Sequence, residues 1–302
     1  PQDGHDVTAL MKYADVAMFQ AKKDGGNKHQ FYLADMTVAA NQRLALETDI
    51  RRSLESDDFI VHYQPQVSLE NDCIVGVEAL VRWQHPQHGM LPPNMFIPVA
   101  EESGLIEALG DWVMRAACKQ VMEWQEATGV LIPVAVNLSG HQISGRLVQT
   151  VGNILKETGL EPRYLELEIT ESCIMSHTDE TIDCLHRLRR LGVQLAIDDF
   201  GTGYSSMSQL KRLPIDKLKI DRSFVRDVPQ DSNDMEIIKA ILALGHALNM
   251  TVIAEGVETA EQRTFLAKHD CDVMQGYLFS RPKPAGEIES LLLSDSCLSV
   301  AR

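Results

Sequence analysis

Val193-Gln194-Leu195-Ala196-Ile197-Asp198-Asp199-Phe200-Gly201 is a short apolar run that ends on two acids, an aromatic residue and a glycine. Such a run suits a strand buried on both faces, and the acids mark where its carboxyl end leaves the core. The pattern recurs. Val77-Glu78-Ala79-Leu80-Val81-Arg82, Val136-Asn137-Leu138-Ser139 and Leu167-Glu168-Ile169-Thr170-Glu171 show it. So do Lys217-Leu218-Lys219-Ile220-Asp221, Ala254-Glu255-Gly256 and Met274-Gln275-Gly276. Eight candidate strands result: 59–67, 73–82, 132–138, 164–169, 193–199, 215–220, 251–256 and 272–278. Helical periodicities separate them, at 94–128 in two parts, 142–158, 178–190, 203–212, 232–248 and 259–269, with a last helix near 284–293. Within 105–126, Leu105, Leu109, Trp112, Val113, Ala116, Val121 and Trp124 make the stripe that should face a sheet.

Strands alternating with helices over roughly 250 residues predict the α/β class and a TIM-type (β/α)8 barrel rather than an open doubly wound sheet. Only the turn around Glu70-Asn71-Asp72 separates the first two strands. A parallel pair needs a long crossover, so the first strand is expected to be antiparallel.

In a barrel the carboxyl ends of the strands meet on one rim, where sites are built. One acid at a strand end means little, because acids often begin loops or cap helices. Seven of eight strands ending in polar groups is a different matter. Glu78, Glu168, Asp198, Asp199 and Glu255 would crowd five carboxylates together. Such a cluster is costly unless compensated. Two divalent cations together with Lys219 would balance it. Carboxylate and amide oxygens, with no strand-end His or Cys, favour Mg²⁺ or Mn²⁺ over Zn²⁺. Paired oxygen-ligated metals are a recurring device for hydrolysing phosphoesters. Adjacent side chains diverge along an ideal strand, so Asp198 and Asp199 need a bend to act together, which Gly201 would permit.

Other motifs carry less. His85-x-x-His88 has ligand-like spacing but lies in a Pro/Gly-rich loop without an acidic helper. The Gly201-Thr202-Gly203 segment follows two acids that would repel pyrophosphate. Ser139 and His141 sit in no nucleophile elbow. The chain has 302 residues, 44% of them hydrophobic, and a net charge of −15. That charge argues against long nucleic acid as a partner. Cys73, Cys118, Cys173, Cys184, Cys271 and Cys297 are irregularly spaced, which predicts reduced thiols. With neither a membrane span nor a secretory signal in view, a cytoplasmic catalytic portion is expected. The chain opens mid-pattern, so a longer parent protein is expected, and that parent could be membrane-tethered.

These motifs resemble the EAL-domain family of cyclic-di-GMP phosphodiesterases. The resemblance covers about residues 35–294 and rests on Tyr63-Gln64-Pro65, Glu78-Ala79-Leu80 and Asn137-Leu138-Ser139. It extends through Glu168-Ile169-Thr170-Glu171, Asp198-Asp199-Phe200-Gly201-Thr202-Gly203, Lys217-Leu218-Lys219-Ile220-Asp221, Glu255-Gly256-Val257-Glu258 and Gln275-Gly276-Tyr277. It implies that Glu78, Asn137, Glu168, Asp198 and Asp199 hold metal, and that Glu255 holds metal or its water. Lys219 would hold the attacking water, and Gln275 would support it. Gln64 and Arg82 would contact guanine and phosphate, with Asp221 and Glu258 as further substrate or supporting contacts. Glu171 would anchor the loop from Asp199 to Ser206, which in the family couples the site to dimerisation, so a homodimer is expected. The implied product is linear pGpG, with Ca²⁺ inhibitory. No metal or lysine position departs from the pattern; Met207 stands where the loop usually has Leu.

Residues 1–34 stand apart. Val7, Leu10, Met11, Ala14, Met18 and Ala21 recur at helical spacing, with Gly25-Gly26 as a stop and Phe31-Tyr32 as a short strand or linker. Tyr13-Ala14-Asp15-Val16-Ala17-Met18-Phe19-Gln20-Ala21-Lys22 resembles the last helix of a GGDEF diguanylate cyclase domain, whose signature loop is absent. The resemblance implies a tandem parent protein, divided here into 1–34, remnant and linker, and 35–302, the barrel.

Overall fold

The computed structural model describes residues 6–23, 25–175, 179–203 and 210–295. Two helices lead in: α1 (Val7–Lys23) and α2 (Ala34–Ser53). Then come β1 (Phe59–Ser68), β2 (Ile74–His85), β3 (Gly89–Leu91), α3 (Pro93–Glu102), α4 (Ile106–Thr128) and β4 (Val134–Leu138). They are followed by α5 (Gly145–Thr158), β5 (Leu165–Thr170), α6 (Glu171–Met175), α7 (Asp179–Leu191), β6 (Gln194–Phe200) and β7 (Lys217–Ile220). The chain continues through α8 (Arg222–Arg226), α9 (Ser232–Ala247), β8 (Thr251–Glu255), α10 (Ala260–Lys268) and β9 (Val273–Gln275). It ends with β10 (Lys283–Pro284) and α11 (Ala285–Ser294).

The strands form one sheet in the order β10-β1-β9-β8-β7-β6-β5-β4-β2-β3, and a further pairing of β1 with β2 closes it into a barrel. β1 runs antiparallel to both β2 and β9, whereas β2, β4, β5, β6, β7, β8 and β9 pair in parallel. The expected antiparallel first strand is therefore present, for the reason the short turn implied. All eight expected strands are found, and β3 and β10 are short additions flanking them.

Strand alternation divides the side chains between two environments. Leu165, Leu167 and Ile169 of β5 are fully buried and belong to the apolar layer between barrel and helices. Glu166 and Glu168 alternate with them and point into the barrel. Most of the stripe along α4 does what its spacing predicted: Leu105 at the N-cap and Leu109, Val113, Val121 and Trp124 are buried, whereas Trp112 and Ala116 are half-buried. The Trp124 indole N–H also donates to Ala285 O at 3.2 Å, tying α4 to α11.

Helix α2 was not legible. Only Ile50 and Ser53 of its residues are buried, so it carries no apolar stripe for a periodicity to reveal. It is held instead by specific contacts to β2: the Trp83 indole N–H donates to Ser53 Oγ at 3.1 Å, and Asp49 meets His85 Nε2 at 3.2 Å. His85 Nδ1 accepts the backbone N–H groups of Gln87 and His88 and so shapes the β2–β3 hairpin, while Nε2 faces α2. The His85-x-x-His88 spacing thus serves a turn. Phe31-Tyr32 is linker, with Tyr32 stacked on Tyr13 at 4.1 Å between ring centres. Cys73 corrects the expectation of reduced thiols. It is disulfide-bonded, a state that cysteine spacing along the chain did not signal, while Cys118, Cys184 and Cys271 are free and buried. Among the described residues no helix is long and apolar enough to cross a membrane. The expected helix at 203–212 falls largely on residues 204–209, outside the described residues.

Candidate active site at the carboxyl rim of the barrel

Lys219 organises the mouth of the barrel. It is fully buried near the end of β7, and its Nζ lies 2.6 Å from Glu168, 2.8 Å from Glu255, 3.1 Å from Asp198 and 3.6 Å from Glu78. Four strands thereby deliver carboxylates to one ammonium. Asn137 at the end of β4 donates to Glu78 Oε1 at 2.6 Å. Gln275 at the end of β9 donates to Gln64 Oε1 at 3.2 Å and to Glu78 Oε2 at 2.5 Å.

Asp199 reaches this cluster by leaving strand geometry. Its φ is +54°, a left-handed conformation uncommon for a residue other than glycine. The β6–β7 register shifts between Ile197 and Phe200 at the same point. The required bend therefore lies at Asp199 itself, with Gly201 at φ +102° completing it. Ligand oxygens of Asp198, Asp199 and Glu255 all come within 4.8 Å of one another. Strain of this kind persists where surrounding structure enforces it, commonly at functional sites.

The electrostatics follow from crowding. Burial pulls the Lys219 pKa down, but Glu168, Glu255, Glu78 and Asp198 outweigh it and hold the ammonium well above the ordinary lysine value. Burial and the Glu78 charge push Glu168 well above the carboxylate range. Burial, against Lys219 but helped by Asp198 and Glu78, raises Glu255 to about 8. Asp199 is raised to about 6 by burial, Asp198 and Asp221. Glu78 is held low: burial opposes ionisation, yet Lys219 and the Gln275 and Asn137 hydrogen bonds prevail.

One lysine does not neutralise this many acids. Among the described residues Glu168 Oε1 is buried with no hydrogen-bond donor, and Asp198 Oδ1 faces Lys219 outside hydrogen-bond geometry. Orphaned carboxylate oxygens beside an all-oxygen donor set fit hard divalent cations.

The remaining expected residues surround the cluster. Glu171 is buried and accepts the backbone N–H groups of Gly201 at 2.8 Å and Gly203 at 3.3 Å, so it pins the start of the loop. Ser205, Ser206 and Met207 lie outside the described residues. Asp221 caps α8, accepting from Ser223 N at 3.0 Å, and shares a hydrogen bond with Asp199. Gln64, Glu78, Asp198, Glu255, Glu258 and Gln275 line one cavity of about 250 Å³. Arg82 is half-buried nearby, its Nη1 donating to Val81 O at 2.8 Å. Ser139 donates to Glu101, not to a histidine, so the Ser139/His141 spacing makes no serine–histidine pair.

Four residues were given no role by the sequence. Arg222 and Tyr277 line the same cavity, and Arg281 lies 4.2 Å over the Tyr277 ring. Gln66, buried two residues after Gln64 in β1, donates to Gln275 Oε1 at 3.2 Å. Alternation within Gln64-Pro65-Gln66 was the available signal.

In the metal-free protein Glu255 holds its proton to about pH 8, against 4.5 ordinarily. The folded state then binds more protons than the unfolded state across that window, so stability falls as pH rises through it. Scanning calorimetry of EDTA-treated protein should show the melting temperature dropping between about pH 5 and 8, and Mn²⁺ should remove the drop. A metal-free melting temperature that rises over this range would contradict the assignment.

Fold and site together define an α/β barrel whose carboxyl mouth gathers acids that could hold a metal ion. The EAL domain family matches residues 47–282, and the chain belongs to that family. It is 45% identical over 293 residues to cyclic di-GMP phosphodiesterase NbdA of Pseudomonas aeruginosa, a match covering 97% of this chain and 37% of NbdA. It is 45% identical over 289 residues to the bifunctional diguanylate cyclase/cyclic di-GMP phosphodiesterase MucR of the same organism, over 95% of this chain and 42% of MucR. The solved MucR phosphodiesterase in its c-di-GMP complex superposes with a TM-score of 0.78 at 46% identity, over 81% of this chain and 99% of that one. The chain spans less than half the length of these two curated relatives.

Proposed function

We propose that this chain is a phosphodiesterase that hydrolyses bis-(3′-5′)-cyclic dimeric GMP to linear pGpG with two divalent cations, Mg²⁺ or Mn²⁺. The observation that carries the reading is the convergence of Glu78, Glu168, Asp198 and Glu255 on Lys219 at one rim, with buried carboxylate oxygens left over. The names of the relatives support the substrate.

Glu78, Asn137, Glu168, Asp198, Asp199 and Glu255 would hold the cations. Bound there, the cations supply an activated water and neutralise charge on the phosphoryl oxygens. Lys219 orients the attacking water and offsets the charge that develops in the transition state. Gln275, held by Gln64 and Gln66, fixes the Glu78 carboxylate and supports that water. Gln64 and Arg82 take guanine and phosphate, and Asp221 and Glu258 complete the substrate contacts. Glu171 holds the loop after β6, near which a homodimer forms. Residues 1–34 are the end of a GGDEF domain in a tandem parent; the bifunctional MucR relative supports this. The catalytic portion works in the cytoplasm.

The test is chromatographic. Purified protein with Mn²⁺ should convert the cyclic dinucleotide to pGpG, EDTA should stop it, and Ca²⁺ should inhibit, because its looser coordination suits a tight site poorly. Protein beginning at Ala34 should keep the activity. Binding of the dinucleotide with no metal-dependent product would replace the enzyme by a receptor.

A further inference from the structure

The end of α3 breaks a local rule. Its last turn carries Glu101 and Glu102 and no basic residue, which sets two acids against the negative end of the helix dipole. Such violations are expected where function requires them. Glu102 is paired with Arg43 of α2, whose guanidinium lies 5.2 Å over the Phe19 ring of α1. Glu101 reaches the other way and accepts from Ser139 Oγ at 2.7 Å.

Ser139 directly follows β4. The β2–β4 ladder stops at the Ala79–Val136 pair, so Asn137, Leu138 and Ser139 receive no backbone support from β2. Ser139 instead caps a short turn: its N–H donates to Gln142 Oε1 at 3.1 Å and its Oγ accepts from His141 N at 3.4 Å. Glu101 supplies the link from the β2 side. Glu101, Asn137, Ser139, Gln142 and Thr170 all line one cavity of about 290 Å³.

We propose that Glu101 is a positioning residue, which through Ser139 holds the carboxyl end of β4 so that Asn137 meets Glu78 in the geometry the cations need. It touches neither substrate nor metal. The inference rests on the proposed cation site and assigns a residue outside it.

The test compares wild type with Glu101→Ala, Glu101→Gln, Ser139→Ala and the Glu101→Ala/Ser139→Ala double variant. Mn²⁺ affinity is titrated without substrate, and kcat and KM are measured separately. Each alanine should weaken Mn²⁺ binding about tenfold, as loss of a group supporting a metal ligand does. The fall in kcat should match, with KM little changed. The double variant should be no worse than either single one, because the two residues act as a unit. Glu101→Gln retains an acceptor for Ser139 Oγ and should restore both quantities. Unchanged Mn²⁺ affinity, additive losses, or a Gln variant as poor as the Ala variant would each overturn the role of Glu101. Wild type that binds no Mn²⁺ would overturn the cation site itself, which separates the two failures.

Discussion

Lys219→Met should reduce turnover by at least about a hundredfold to a thousandfold, the loss typical of removing one donor aimed at developing charge. It should also destabilise the metal-free protein by about 3–5 kcal/mol, the usual result of deleting one partner of a buried ion pair. Methionine keeps the length and apolar body of the side chain, so little of the effect comes from packing. What is lost is the single ammonium among Glu168, Glu255, Asp198 and Glu78, inside a fully buried site. The carboxylates left behind must take up protons to remain buried. The stability deficit should therefore shrink toward pH 5, where they are neutral, and grow toward pH 8. Steady-state rates at saturating Mn²⁺ and urea unfolding of EDTA-treated protein at the two pH values check both parts. A variant that keeps a tenth of wild-type turnover would remove Lys219 from the chemistry.

The second large effect is expected at a glycine. Gly276 comes directly after β9, and a methyl group there would overlap the backbone N and O of Val257. Neither atom can move aside, because Val257 N donates to Gln275 O at 3.1 Å and Val257 O accepts from Leu278 N at 2.9 Å. Gly276→Ala should thus cost about 3 kcal/mol or more, at the upper end of overpacking. It should also displace Gln275, and with it the hydrogen bond to Glu78. Gly286→Ala is the internal control. It lies in α11 with nothing within 4 Å of the added carbon. Helix propensity there favours alanine by up to about 1 kcal/mol. Thermal melts of the pair decide the matter; equal melting temperatures would show that the loop after β9 is softer than its hydrogen bonds imply.

The eight strands and the stripe on α4 were legible because one-sided or two-sided burial imposes a period on the residues themselves. Helix α2 was not, because a helix that buries only Ile50 and Ser53 has no period to show, and its place depends on Trp83 and His85, 30 or more residues away. Gln66 and Arg222 escaped notice for a related reason: polar residues next to a recognised motif look like its continuation until Gln66 is seen to donate to Gln275 and Arg222 to line the cavity.

By itself, the order of residues determined that seven strand ends would carry oxygen and nitrogen groups, and that closing the barrel would bring them to one rim. The cause is local chemistry, since an apolar run must be buried and its polar terminus must not be. Only the tertiary structure decided that all four carboxylates would share one lysine, that the bend would fall on Asp199, and that Glu101 on α3 would hold β4 from outside. Those outcomes depend on register, strand curvature and helix packing, which are set by contacts between residues far apart in the chain.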